Sequence, residues 1–393
     1  MKFFIKTFGC RLNLAESDEL IQKLKNYIEP TESEKNSDII IIRACSVTSG
    51  AEQGVRQTIR KYKKQKKTVY VIGCFREKIS EANRYFKKDD ELINFFKNNF
   101  AERRDSRPLI VVEGRLRGND RKYNRTRAFI KIQEGCDFGC NFCITRLLRG
   151  KSKSKSQAQI IKQIKEKENQ GYQEIILTGT NILLYPDIHN LIKSILKKST
   201  IPRIRFGSID PRLVRTKFIK LFSDSRLQPH IHLSLQSGSE KVLKKMKRPI
   251  KISKIKTIVK KLRMINPLFN ISADIIIGYP TETKNDFKKT LELAKKLQLS
   301  KIHYFPYSPR PNTSAENIKP LSPTVLKKRL TTIKELDKKL QQIAKEKIIN
   351  NKLAILFEGS KNNIYYGYTP NFIRIKYKSK NNLTNKIKKI IIT

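Results

Sequence analysis

The sequence predicts an α/β fold in three parts: an open, doubly wound parallel sheet, then a partial (βα)6 barrel, then a small β module. Three observations predict it. Apolar runs of strand length alternate with stretches of helical periodicity through most of the chain, an order that implies parallel strands joined by right-handed crossovers. The alternation breaks at residues 99–124, which are polar and rich in Arg and Asp, and then resumes. After residue 349 the helical stretches cease, and short strand-like runs remain, punctuated by Gly359, Gly367 and Pro370.

In the first domain, set at 1–107, residues 2–7, 38–43 and 68–73 read as strands and residues 16–27 and 52–64 as helices. Residues 108–122 read as a linker, with one short strand at 109–112. In the second domain, 123–323, candidate strands cover 128–132, 174–178, 203–206, 230–235, 271–277 and 301–305. Helices between them include 157–168, 211–222, 253–265 and 285–297. Six strands without a clear seventh or eighth predict a three-quarter barrel, with function gathered at the carboxyl ends of its strands. Residues 324–349 read as a long connecting helix, with Leu326, Leu330, Ile333, Leu340 and Ile343 on one face. The third part is the β module at 350–393.

The chain is strongly basic: 84 Lys+Arg oppose 35 Asp+Glu, a formal charge of +49. Such an excess repels itself in a compact fold unless a polyanion shares the surface, which favours a nucleic-acid partner. Abundant Lys, Ile and Asn also fit drift in an AT-rich genome, so the charge alone is a weak indicator. Residues 348–393 carry nine Lys/Arg against the single acidic Glu358, which suits a module gripping phosphates or a solvated face. Residues 1–9 carry Lys2 and Lys6 within a strand and show no secretory character. No apolar run approaches a membrane span. The expectation is a cytoplasmic monomer with no membrane partner.

Six cysteines in a chain of this size argue for metal or catalysis rather than a disulfide framework. Cys10, Cys45 and Cys74 each follow one of the first three strands by one to three residues, so a parallel sheet gathers them at one rim. Ordinary buried thiols are the plainer alternative. The other three lie in Gly135-Cys136-Asp137-Phe138-Gly139-Cys140-Asn141-Phe142-Cys143, just past the first barrel strand. Thiolates at this Cys-x3-Cys-x2-Cys spacing can hold three corners of a cubane iron–sulfur cluster and leave the fourth iron open. That iron can chelate S-adenosylmethionine, whose reductive cleavage gives methionine and a 5′-deoxyadenosyl radical. The mouth of a partial barrel shields such a radical from water. A structural zinc site would need a fourth ligand, and none of His189, His230, His232 and His303 lies near the loop in sequence.

This loop, with the aromatic Phe142 before its last cysteine, resembles that of the radical S-adenosylmethionine superfamily. More of the chain is similar to one branch of it, the methylthiotransferases. Thr7-Phe8-Gly9-Cys10-Arg11-Leu12-Asn13, closing with Glu16-Ser17, looks like that family's amino-terminal signature. Ala44-Cys45-Ser46-Val47-Thr48 with Ala51-Glu52, and Gly73-Cys74, match its other two cysteine blocks. Lys131-Ile132-Gln133-Glu134-Gly135-Cys136, Arg149-Gly150, Leu177-Thr178-Gly179 and Ser234-Leu235-Gln236-Ser237-Gly238-Ser239 fit further on. So do Met246-Lys247-Arg248 and Ala273-Asp274-Ile275-Ile276-Ile277-Gly278-Tyr279-Pro280. The resemblance runs from Lys2 to about Ala315.

The resemblance implies two 4Fe–4S clusters: the radical cluster on Cys136, Cys140 and Cys143, and a second on Cys10, Cys45 and Cys74 that carries the sulfur to be transferred. It implies a pocket for S-adenosyl-L-methionine formed by Phe142, by Thr178 and Gly179 after the second strand, by Gln236 and Ser237 after the fourth, and by Gly278 and Pro280 after the fifth. Gly and Pro after a strand also serve as plain turn residues. Two molecules of the cofactor are expected per turnover, one to methylate the sulfur and one to supply the radical. An electron donor and a sulfur source must come from elsewhere.

Among the family's branches, Arg-Leu after Cys10 and Phe305-Pro306-Tyr307-Ser308-Pro309-Arg310-Pro311 look most like the one that acts on threonylcarbamoyladenosine. The implied reaction is methylthiolation of C2 of N6-threonylcarbamoyladenosine next to the tRNA anticodon, so the anticodon stem-loop is the implied partner. Arg310 is the candidate cation for the threonyl carboxylate. Alternatives are N6-isopentenyladenosine in tRNA, an aspartate of a ribosomal protein, or a non-enzymatic RNA-binding protein stapled by metals. The chain departs from the family at Phe75-Arg76-Glu77, at Thr281 and at Asn312, where the last two replace a usual Gly. The module at 350–393 resembles a shortened TRAM β-barrel, the family's RNA-binding appendage.

Overall fold

The computed structural model of the chain describes residues 1–75, 79–100 and 126–393. The expected linker at 108–122, its strand at 109–112, and Arg76 and Glu77 lie outside the described residues. The chain divides into two units, residues 1–124 with 147–150, and residues 125–146 with 151–393.

The first unit is a parallel sheet of β1 (Lys2–Thr7), β2 (Glu29–Pro30), β3 (Ile39–Cys45), β4 (Thr68–Cys74) and β5 (Arg84–Phe86), in spatial order β2-β1-β3-β4-β5. Every residue of β3 is buried, as expected of a central strand covered on both faces. Helices α1 (Arg11–Leu24) and α3 (Asp89–Phe100) share a core with Phe3 and Ile39, whereas α2 (Ser49–Lys64) packs Val55 and Ile59 against Ile40 and Val71 on the other face. The strand order reverses between β1 and β3. In sheets of this kind such a switch point opens a crevice at the carboxyl ends of the two strands. Cys10 and Cys45 flank it.

Cys45 and Cys74 close β3 and β4 rather than lying beyond them, and Cys10 stands past Thr7 as the N-cap of α1. That helix starts at Arg11, not at residue 16, because the extended backbone of Cys10 turns directly into it. Periodicity gives no sign of β2 and β5, which are two and three residues long.

The second unit opens with β6 (Arg127–Lys131), the short antiparallel pair β7 (Gln133–Glu134) and β8 (Lys153–Ser154), and α4 (Thr145–Arg149), whose last residues group with the first unit. It continues with α5 (Gln157–Asn169), β9 (Glu174–Thr178), α6 (Ile188–Lys198), β10 (Arg203–Phe206), β11 (Ser208–Ile209), α7 (Thr216–Lys220), β12 (His230–Gln236), α8 (Glu240–Lys245), α9 (Ile252–Ile265), β13 (Asn270–Ile277), α10 (Lys284–Lys296) and β14 (Lys301–Pro306). Parallel pairings run β6-β9-β10 and β11-β12-β13-β14, and β10 passes into β11 at Gly207, so the strands form one open arc. The predicted helix at 211–222 breaks up: α7 covers only Thr216–Lys220, followed by a 3-10 turn at Leu221–Ser223. Helix α11 (Pro323–Glu346) is capped by the Ser322 side chain and buries Ile333, Leu336 and Leu340 against the barrel core.

The chain ends in an antiparallel sheet of β15 (Lys352–Lys361), β16 (Ile364–Tyr368), β17 (Arg374–Lys378) and β18 (Ile387–Ile391), in order β17-β16-β15-β18. The turn after β16 covers the floor of the barrel, where strands begin. Glu174, Arg203, His230 and Asn270 are the first residues of β9, β10, β12 and β13. Arg205 donates to the carbonyls of Thr369 and Pro370, and Asn270 to that of Asn371. Phe372 stacks on His230. The module therefore sits at the end of the barrel opposite the carboxyl ends of its strands.

Candidate functional site

In the first unit, glycines bring the cysteine loops together. Gly9 has φ +96, and a Cβ on it would lie 2.7 Å from Cys45 Cβ, so no side chain fits between the Cys10 loop and Cys45. Gly73 has φ +109 and backs onto the Ala44 carbonyl. Cys45 and Cys74 are register partners on neighbouring strands, and Ser46 Oγ donates to the Cys74 carbonyl at 2.9 Å. Asn13 fastens the same rim by donating to the carbonyls of Phe8 (2.7 Å) and Ala44 (3.1 Å). Glu16 receives Arg149 through both oxygens, at 2.7 and 3.0 Å, and Arg149 also reaches Asn13 Oδ1 at 2.9 Å. The Asn13 and Glu16 positions of the amino-terminal signature thus build the cysteine rim. Burial pushes the Cys74 thiol up to about 11, partly opposed by the charge of Arg149.

In the second unit, the loop bearing Cys136, Cys140 and Cys143 lies at the carboxyl ends of the strands and opens on a cavity of about 150 Å3. All three cysteines line it, with Phe142, Asn181, Ser208, Asp210, Ser234, Gln236 and Arg248 among the other walls. Gln133 organises the entrance to the loop: its amide nitrogen donates to the Gly135 carbonyl (2.7 Å) and Ser152 Oγ (2.8 Å), and its oxygen accepts from the Asn181 amide (2.9 Å). Asn141 ties the loop to the carboxyl end of α8, with its side chain donating to Lys245 O at 2.7 Å and its amide to Met246 O at 3.2 Å. Burial raises the Cys136 thiol.

The expected cofactor residues divide. Phe142 and Gln236 line the cavity. Gln236 has φ +70 at an irregularity in the β12–β13 register, a strained backbone of the kind found at functional sites. Thr178 is buried at the end of β9, and Gly179 follows it against the Gln133 backbone. Ser237 turns away: its Oγ lies 3.4 Å from Thr290 Oγ1 and accepts the Ser239 amide. Gly278 donates its amide to Glu282, and Pro280 follows in the same turn. Arg310 is buried and its carbonyl accepts from Thr313. Asn312 adopts φ +62, a left-handed backbone that Asn tolerates better than most residues with a side chain.

Sequence reasoning missed Asp210 and Arg212, which follow β11 and carry no recognisable motif. His230 and His232 are tied to Ser272 Oγ at 2.9 and 2.8 Å, as strand residues satisfied in place.

Among the described residues no three His, Cys, Asp or Glu groups gather closely enough for a single ion. A cubane suits this spacing better, because each thiolate binds a different iron and the sulfurs stay further apart. Two cations, Arg212 and Arg248, reach Cys140 at 3.9 and 3.5 Å, which fits the negative charge of a thiolate-bound cluster.

The Radical SAM superfamily matches residues 130–294, and the uncharacterized protein family UPF0004 matches residues 2–94. The chain is 34% identical to the threonylcarbamoyladenosine tRNA methylthiotransferase MtaB of Thermotoga maritima, over 90% of this chain and 86% of that one. It is 33% identical to the protein of the same name from Aquifex aeolicus, over 91% and 92%. It is 32% identical to the tRNA-2-methylthio-N(6)-dimethylallyladenosine synthase of Pelagibacter ubique, over 90% and 85%. Among solved structures, the radical S-adenosylmethionine methyltransferase TsrM of Kitasatospora setae, with cobalamin and a [4Fe-4S] cluster bound, shares the fold at TM-score 0.55 and 12% identity, covering 80% of this chain and 77% of that one.

Proposed function

Because the chain belongs to the radical S-adenosylmethionine methylthiotransferase family, we propose that it methylthiolates C2 of N6-threonylcarbamoyladenosine next to the tRNA anticodon. The observation that carries the reading is the pair of cysteine triplets, each gathered at the carboxyl ends of parallel strands in its own unit. Both MtaB relatives favour the threonylcarbamoyl base, and the Pelagibacter synthase keeps the dimethylallyl base as the second reading.

Cys136, Cys140 and Cys143 would hold a 4Fe–4S cluster that supplies the electron for cleaving S-adenosylmethionine, and Cys10, Cys45 and Cys74 would hold one that carries the sulfur to be transferred. Gln133 and Asn141 hold the first loop in place. Phe142, Asn181, Ser208, Ser234 and Gln236 form the cofactor walls, while Thr178, Gly179, Gly278 and Pro280 shape the strand ends around them. Ser237 supports that wall through Thr290. Arg310 is assigned to the threonyl carboxylate, which a guanidinium binds bidentately. The exposed Arg374, Lys376 and Lys378, alternating along β17, are assigned to tRNA phosphates.

Nucleoside mass spectrometry of tRNA from a deletion strain tests the reading. The methylthio derivative of the threonylcarbamoyl base should vanish and return with the intact gene. Loss of the methylthio isopentenyl derivative instead would move the enzyme to the second branch.

A further inference from the structure

One carboxylate aims two arginines at a single cysteine. Arg248 Nη1 lies 3.5 Å from Cys140 Sγ and Arg212 Nη2 lies 3.9 Å from it. Asp210 holds both guanidinium groups, at 2.6 Å from Arg212 and 3.1 Å from Arg248. Arg248 is fixed further by donating to the Ser234 carbonyl at 2.7 Å, and Arg212 lies 3.9 Å over the Phe138 ring. Asp210 is 4% exposed and Arg248 7%. Burial alone would raise the Asp210 carboxyl, but the two arginines hold it below its ordinary value. The triad therefore carries a net positive charge against one sulfur. Cys136, in contrast, neighbours Asn181 and the Phe138 backbone.

Buried ion triads are costly to desolvate, and well-packed apolar residues are often as stable in their place. This one faces a cluster ligand. Hydrogen bonds to ligand sulfurs, together with local charge, are known to set the reduction potentials of iron–sulfur clusters. A donor at the sulfur stabilises the added electron more than it stabilises the oxidised state.

We propose that Asp210 locks Arg212 and Arg248 into a clamp on the Cys140 sulfur that raises the reduction potential of the cluster held by this loop. They are positioning residues for the ligand. The inference rests on the assignment of a cluster to Cys136, Cys140 and Cys143.

The test is a redox titration of the anaerobically reconstituted full-length chain with dithionite, read by electron paramagnetic resonance. Cys10, Cys45 and Cys74 are changed to Ala throughout, so that one cluster reports. Arg248→Gln and Arg212→Gln should each shift the midpoint to lower potential at unchanged iron content, and Arg248→Lys should recover part of the shift. If Arg248→Gln fails to fold, the less buried Arg212→Gln carries the test. An unshifted midpoint with full iron would overturn the clamp. So would weakened S-adenosylmethionine binding without a shift, which would assign the arginines to the cofactor. Absence of any reduced-cluster signal in the parent with all three loop cysteines would instead overturn the underlying cluster assignment.

Discussion

Glu174 Oε1 lies 3.0 Å from Arg205 Nε in the floor of the barrel, where Glu174 is 1% and Arg205 2% exposed. Arg203 and Arg127 approach the same carboxylate at 3.7 and 3.9 Å, and Arg127 also pairs with Glu358. Burial pulls the Arg203 guanidinium down to about 10 against the opposing pull of Glu174. The carboxylate is the common counter-charge for three arginines.

Glu174→Gln should therefore leave those arginines under-compensated and destabilise the second unit by about 3–5 kcal/mol. Chemical denaturation with a probe in the barrel checks this. A loss within experimental error would mean that Glu358 and the carbonyls of the last sheet suffice.

The same floor changes how RNA binding must be tested. Deleting residues 350–393 would strip the carbonyls of Ala354, Tyr368, Thr369 and Pro370 from Arg203 and Arg205, and weaker tRNA binding could then reflect a damaged barrel. Changing Arg374, Lys376 and Lys378 together to Gln spares the packing. The variant should bind tRNA more weakly, with a salt slope shallower by roughly 0.7–0.9 for each phosphate that is no longer neutralised. An unchanged slope in filter binding would remove β17 from the interface.

Gly9→Ala places a Cβ 2.7 Å from that of Cys45 and forces an unfavourable φ. The variant should lose iron from the first unit and with it methylthiolation, while cofactor cleavage to 5′-deoxyadenosine continues. Iron analysis and product chromatography on one preparation check both halves. Cys140→Ala should show the reverse, with no cleavage and the first unit's iron retained.

Acid stability of the first unit should depend on Glu34. The Lys6 hydrogen bond at 2.9 Å, with that of Lys61 and against the cost of burial, draws its carboxyl from 4.5 down to about 2. A depressed carboxyl stabilises the fold above its unfolded value and loses that contribution as pH falls through its folded value. The stability gap between the native chain and Glu34→Gln should hold down to about pH 4.5 and close towards pH 2, as urea unfolding across that range would show.

Much of this was legible because the strands are long and apolar. β3, β9 and β13 are apolar, largely buried runs of strand length, and Cys45 and Cys74 close β3 and β4. What escaped depends on neighbours distant in sequence. Asp210 and Arg212 look like ordinary polar turn residues until Arg248 arrives beside them, and Glu174 looks like the polar start of a strand until Arg205 and the last sheet close over it. Ser237 shows the converse. A serine at a strand end suggests a ligand, yet the fold spends its hydroxyl on Thr290 and the Ser239 amide. The helix expected at 211–222 fails because Pro211 to Arg215 form the turn that delivers Arg212 to Cys140.

The most direct measurement is a single anaerobic reaction. Reconstituted full-length protein, S-adenosylmethionine and dithionite are mixed with anticodon stem-loops bearing either the threonylcarbamoyl or the isopentenyl adenosine, for the native chain and Arg310→Lys, and nucleosides are read by mass spectrometry. The native chain should convert the threonylcarbamoyl stem-loop to its methylthio product in preference to the other, and Arg310→Lys should narrow that preference. No methylthiolated nucleoside from either stem-loop, at full iron content and with cofactor cleavage intact, would contradict the account.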